Sequence, residues 1–151
     1  MHSRSSALCA LLVLLGFSAF ALTRGQLAAR YGRAAWRQTA AGSSFVTTEQ
    51  FTPEAGVALT ARYDERGNVR EIRIAPEGAE TDEHGTRSVK PELAEKILNQ
   101  LIPRKQQPAE GYMESTGACN RVTVSRNDEL TISREFHDCA PKGLNLTISW
   151  R

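Results

Sequence analysis

The chain has 151 residues and carries Lys and Arg 19 against Asp and Glu 17, a formal charge of +2. So even a balance excludes a general nucleic-acid binder, and the arginines are spread along the chain rather than gathered in one run. Apolar residues make up 40% of it, enough for one domain with a real core, and only the opening segment has an apolar stretch approaching the length of a bilayer span.

Residues 1–21 have the form of an export signal: Arg4 supplies positive charge, Ala7 to Phe17 an apolar stretch, and Ala19-Phe-Ala21 a small-x-small cleavage site. Cleavage leaves a single domain over 22–151. If the segment stays, residues 7–23 form a membrane anchor at the short limit for spanning, and that is the only membrane contact expected. Cleavage also removes Cys9 and leaves Cys119 and Cys139. An even count agrees with an oxidising destination, periplasmic or secreted.

Leu27 and Tyr31 have helical spacing and Gly32 offers a stop. Arg24, Arg30, Arg33 and Arg37 make this stretch basic, with no acid before Glu49. The narrow apolar side favours a surface helix packed on a sheet over a helix lying on a membrane. Residues 40–44 read as a loop, and 45–51 as a modest strand ended by Pro53. Val57, Leu59, Ala61 and Tyr63 then alternate, Asp64 to Asn68 turns the chain, and Val69 to Ile74 returns. Pairing Tyr63 with Arg70 sets Ala61 against Ile72 and Leu59 against Ile74 on one apolar face. Gly67 can take the positive φ such a turn requires.

Glu80, Asp82 and His84, at alternate positions before Gly85, have a faint likeness to a calcium loop, but Pro91 stands where its bidentate glutamate belongs. A solvated connection is the simpler reading. Pro91 to Ile102 is the best helix. Proline suits its first turn, and Leu93, Ala94, Ile97, Leu98, Leu101 and Ile102 give it a broad apolar face. Pro103 stops it. Arg104 to Gly111 reads as an exposed linker, and its basic pair, Arg104 and Lys105, is a candidate partner contact.

The last third alternates three times, at Val122–Val124, Leu130–Phe136 and Leu144–Trp150. Setting Val124 against Ile132, or against Leu130, brings Cys119 near Cys139 and predicts a disulfide. His137-Asp138-Cys139 offers imidazole, carboxylate and thiol in a row, but neighbours on a strand point to opposite faces, which argues against a triad. Trp150 reads as a core residue or, alternatively, as an anchor for a partner strand on a last strand lying at the sheet edge.

Together these elements predict an α+β fold: an antiparallel sheet of about five to six strands with two helices on one face, in an outline that suits a degenerate α-β-β-β duplication. Leu27-Ala-Ala-Arg-Tyr-Gly32, the Tyr63–Ile72 hairpin, and the Pro91-Glu92 helix ending at Leu101-Ile-Pro103 resemble a group of uncharacterised exported bacterial proteins. That group has no assigned activity, so the resemblance implies export and carries over no functional residue. The outline is also similar in shape to small periplasmic scaffolding lipoproteins and tandem-repeat enzyme inhibitors, although the lipid-attachment cysteine of the former is missing.

The expected function is a non-catalytic binding or scaffolding module outside the cytoplasm, with an unidentified protein partner and no cofactor. Two alternatives stand beside it. One is a small enzyme or metal-binding protein using His84 or His137. The other is an inhibitor of a secreted enzyme acting through Arg104 to Gly111.

Overall fold

The computed structural model describes residues 22–40, 46–78, 88–109, 111–115, 117–139 and 141–151. Residues 1–21, read as an export signal, residues 41–44 of the expected loop, and Glu80, Asp82 and His84 lie outside these. Among the described residues no helix is long and apolar enough to cross a membrane.

The chain runs α1 (Arg24–Tyr31), β1 (Trp36–Thr39), β2 (Thr47–Glu54), β3 (Val57–Tyr63), β4 (Val69–Pro76), α2 (Pro91–Leu101), β5 (Tyr112–Ser115), β6 (Asn120–Arg126), β7 (Leu130–His137) and β8 (Gly143–Trp150). The eight strands among the described residues join one sheet in the order β1-β2-β3-β4-β8-β7-β6-β5, and every pairing is antiparallel. The expectation of five to six strands is therefore wrong, and each half is a helix followed by four strands rather than three. The two strands that the sequence reading lacks are β1 and β5, the outermost pair. Both have only four residues and neither buries an alternating apolar side, so neither leaves a period-two signal.

The core lies between the sheet and both helices. Leu59 and Ala61 on β3, Ile72 and Ile74 on β4, Leu146 and Ile148 on β8, and Ile132 on β7 are fully buried in one cluster with Leu27 of α1 and Ile97 and Leu98 of α2. Registers explain this continuity: Leu59 opposes Ile74, Ile74 opposes Leu146, and Ile148 lies between Ile72 and Ile132. The anticipated pairing of Tyr63 with Arg70 is displaced to Val69 by a bulge next to the turn. That turn is built on Asp64, whose Oδ1 accepts from the backbone N–H of Arg66 and of Asn68, each at 2.9 Å. Burial alone would push its carboxyl up, but these bonds and Arg70 hold it below the usual carboxylate range. Gly67 has the positive φ the turn needs (78°).

Three further local expectations change. Pro53 does not end β2, which continues to Glu54 across an irregularity that accommodates the missing N–H. β8 is not at an edge but sits between β4 and β7, with Trp150 half-buried against the core. On β6 neither anticipated register forms: Val124 opposes Ser133, and Ser125 opposes Ile132. Val122 and Val124 thus face the open side of the sheet, while Arg121, Thr123 and Ser125 face the helix side.

Candidate functional site

The helix side of the sheet is covered unevenly. α2 packs on β8, and α1 lies near β2. Beyond β7, towards β6 and β5, no helix among the described residues lies over the sheet, and a cleft of about 640 Å³ opens there. That is within the range of small-ligand and peptide sites, though its lining is more polar than most. Its floor is the helix side of β6 and β7: Thr123, Ser125, Arg121, Arg134 and Phe136. Glu95 of α2 and the turn after that helix form one wall, and Met113 of β5 the other.

The linker after α2 is largely exposed, as the sequence suggested, but it is held against that helix. Pro103 leads into a single 3-10 turn at Arg104–Gln106. Gln107 then folds back, its Nε2 donating to the Ile102 carbonyl at 2.8 Å and to Asn99 Oδ1 at 3.0 Å. This holds Arg104 at the cleft, while Lys105 stays exposed on the turn. At the opposite wall Gly111 passes so close to β6 that a methyl group there would run into the Val124 carbonyl. Glycine at this point lets β5 approach β6 and close the end of the cleft.

Three guanidiniums face one carboxylate within the lining. Arg134 donates from Nε to Glu95 at 2.8 Å and from Nη2 to Gln107 at 3.3 Å. Arg121 forks onto Asp138 (2.8 and 3.2 Å) with its guanidinium carbon 3.8 Å above the Phe136 ring. That stacking fixes its plane over the floor. Arg104 forms no ion pair among the described residues. Ser125 is buried opposite Ile132.

A second cluster of charge lies under α1. Glu49 is 2% exposed, and its Oε1 accepts from Arg24 (Nη2 at 2.7 Å, Nε at 3.0 Å) and from Arg37 (Nε at 2.7 Å). Burial pushes the Glu49 carboxyl up, but the bonds from Arg24 and Arg37, with the Tyr63 hydroxyl facing it, outweigh that and hold it low. Tyr63 is pushed well above the usual tyrosine range, first by burial and then by the Glu49 charge. Two of the arginines that made the N-terminal stretch look basic are therefore consumed in fastening α1 and β1 to the sheet. A smaller groove of about 440 Å³, lined by Arg30, Tyr31, Pro53, Glu54 and Gln100, lies between the ends of the two helices. Arg30 donates to the Gln100 carbonyl, and Lys96 holds Glu54 at 2.8 Å.

Of the residues singled out from sequence, Cys119 and Cys139 lie at disulfide distance, with Cα atoms 5.1 Å apart, across the open end of the β6–β7 hairpin. The His137-Asp138-Cys139 run disperses. His137 Nδ1 lies 2.9 Å from Asn120 Oδ1, Asp138 takes Arg121, and Cys139 takes Cys119. Among the described residues no three His, Cys, Asp or Glu side chains converge on a point. Arg104 is at the cleft; Trp150 is not. Sequence reading missed Arg121, Arg134 and Glu49. Two of them carried a signal: Arg134 is in phase with Ile132 and Phe136, and Glu49 with Phe51, so each is a charge at a core-facing position that demands a partner.

Against protein-family models and curated proteins the sequence finds no match. Among solved structures it is similar to a DUF4309 family protein, YjgB, from Bacillus subtilis, at 13% identity and a TM-score of 0.43 over 85% of this chain and 78% of that one. It is also similar to an extracellular protein containing a SCP domain from Bacillus anthracis, at 10% identity and a TM-score of 0.39. That alignment takes in 99% of this chain but spans only half of the longer protein. Both neighbours are bacterial and the likeness is weak, so no functional residue passes from either to this chain.

Proposed function

We propose that the chain is a non-catalytic binding module that works outside the cytoplasm, in the periplasm or as a secreted protein, and holds its ligand in the cleft between α2 and β5–β7. The observation that carries this reading is the uncovered floor of β6 and β7, where arginines and hydroxyls replace the apolar side chains of the neighbouring strands. A sheet face turned towards helices is ordinarily filled with apolar residues. Polar groups there, aimed into a concavity, suit a ligand better than a core. Export is supported by the form of residues 1–21 and by the paired cysteines. The enzymatic alternative through His137 loses support because the neighbouring carboxylate and thiol have other partners.

The test is selection of an unbiased displayed-peptide library on the full chain, with a counter-screen on Thr123→Trp. The indole would fill the cleft from a strand position that tolerates aromatic residues. Selected peptides should bind this variant at least about tenfold more weakly, a loss of about 1.4 kcal/mol, while Arg73→Ala on the open face leaves binding unchanged. Peptides indifferent to Thr123→Trp, in a variant with an unaltered circular dichroism spectrum, would refute the reading.

A further inference from the structure

The sheet ends in two strands, β1 and β5, and beyond each no further strand is paired among the described residues. Each therefore presents backbone N–H and C=O groups to whatever lies alongside. Among the described residues, the large apolar side chains that remain exposed gather on these same two strands: Trp36 at 44% on β1, and Tyr112 at 59% and Met113 at 66% on β5.

The two edges are not equivalent. Edge strands are commonly blunted by a charge turned inward, and β1 has one in Arg37, bound to the buried Glu49 beneath α1. Among the described residues of β5 no charge turns inward in that way: Glu114 opposes Val122 on the open side. The cleft opens directly beside β5, with Met113 on the near wall and Arg104 across the gap. A strand laid against β5 would continue the sheet and place alternate side chains on the cleft's side of it, at the rim that Met113 forms.

We propose that β5 is a docking edge for an extended acidic segment of another polypeptide, added to the sheet as a further strand with its carboxylates reaching over the Met113 rim towards the cleft. This rests on the binding role given to the cleft above and names its occupant. Charge selects that occupant. Within the lining, Arg134 already holds Glu95, and Arg121 holds Asp138 just outside it, which leaves Arg104 to be neutralised. Arg134 and Arg121 are fixed by those partners and stand as pre-oriented donors for an incoming carboxylate. Tyr112 and Met113 give the added strand apolar cover, one on each side of the sheet. A second copy of this chain suits the edge less well. Paired antiparallel through its own β5, it would bring Met113 rather than Glu114 to the cleft side and offer Arg104 no acid.

The probe is a short capped peptide of alternating Thr and Glu, titrated into the full chain beside its Thr and Lys counterpart, with amide hydrogen exchange followed over residues 112–115. The Glu peptide should bind one to one and the Lys peptide should not. Exchange along β5 should slow by about tenfold or more as its outward N–H groups gain partners, and Arg104→Glu should weaken binding by about tenfold. Three results would overturn the proposal: no preference for Glu over Lys, binding that leaves β5 exchange unchanged, or no binding at all. Slowed β5 exchange that follows protein concentration alone would overturn it too, and would assign the edge to a second copy. Should the library-selected peptides depend on Thr123 yet leave β5 exchange untouched, the cleft stands as a binding site and only the strand addition falls. If they ignore Thr123→Trp, the cleft itself is refuted.

Discussion

Glu49 shows how much a single side chain can organise in this molecule. It occupies a core-facing position on β2, two residues before Phe51, where an unpaired carboxylate would be costly. Two arginines from different elements answer it, Arg24 at the start of α1 and Arg37 on the edge strand β1. Glu49→Gln would leave both guanidiniums without their counter-charge. Breaking a buried ion pair costs several kcal/mol, but the arginines are about half exposed and solvent screening reduces this to about 2 kcal/mol. The pH dependence has a definite sign. The folded-state carboxyl is held below its ordinary value, so the unfolded chain takes up the proton first as pH falls. The stabilisation is complete above about pH 5 and is lost as pH drops from the ordinary carboxylate value, about 4.3, through the lower folded one. Urea midpoints of the wild-type and Glu49→Gln proteins should therefore differ most near neutrality and converge in acid. A gap that stays constant down to about pH 3 would show that the triad is not a charged one.

At the scale of elements, the β6–β7 hairpin separates what patterning can and cannot give. Its turn follows from Asn127, whose Oδ1 accepts from the N–H of Glu129 (3.0 Å) and of Leu130 (2.8 Å). Its register does not follow from apolar matching, because Val122 and Val124 turn to the open side and Ser125 faces Ile132. A shift by one residue exchanges the two faces of a strand, and here the cleft, not the core, lies over β6. Ile132→Ala should thus destabilise by about 3 kcal/mol, whereas Val124→Ala should cost less than about 1 kcal/mol. Equal costs in chemical denaturation would mean that both residues face the core and that the observed register is wrong. The helices and the β3–β4 hairpin, by contrast, are close to what their sequences dictate. A capping box joins Thr23 and Gln26 at the start of α1, and Pro91 opens α2. Leu59 meets Ile74 and Ala61 meets Ile72 as the alternation required.

Across the whole molecule the sheet is continuous, and its centre is the pairing of β4 with β8, drawn from the two halves of the chain. Neither half can bury its apolar face alone, so unfolding should be a single transition. The Cys119–Cys139 link, 20 residues apart in sequence, constrains the β6–β7 hairpin, which lies beside β8 on one side of that centre. Replacing both by serine should cost about 3 kcal/mol through the wider freedom of the unfolded chain. For a chain of this length that lowers the melting temperature by about 10 °C, measurable by calorimetry as one shifted peak. Two resolved peaks would show instead that the halves melt independently.

By itself the sequence determined the features that depend on near neighbours. These are the capping box of α1, the proline start of α2, the apolar stripes of both helices, the turns at Asp64 and Asn127, the central strands with period-two alternation, and a cysteine pair set at the open end of one hairpin. Tertiary structure alone decided which strands lie at the rim, that β8 is interior, that the arginines near the start of the chain close on Glu49, and that β5 to β7 keep a polar concavity. The physical reason is the same in each case. An edge strand or a buried charge takes its stability from residues distant in the chain, and the alternation that reveals a half-buried strand is lost where the covering layer is a cleft instead of a helix.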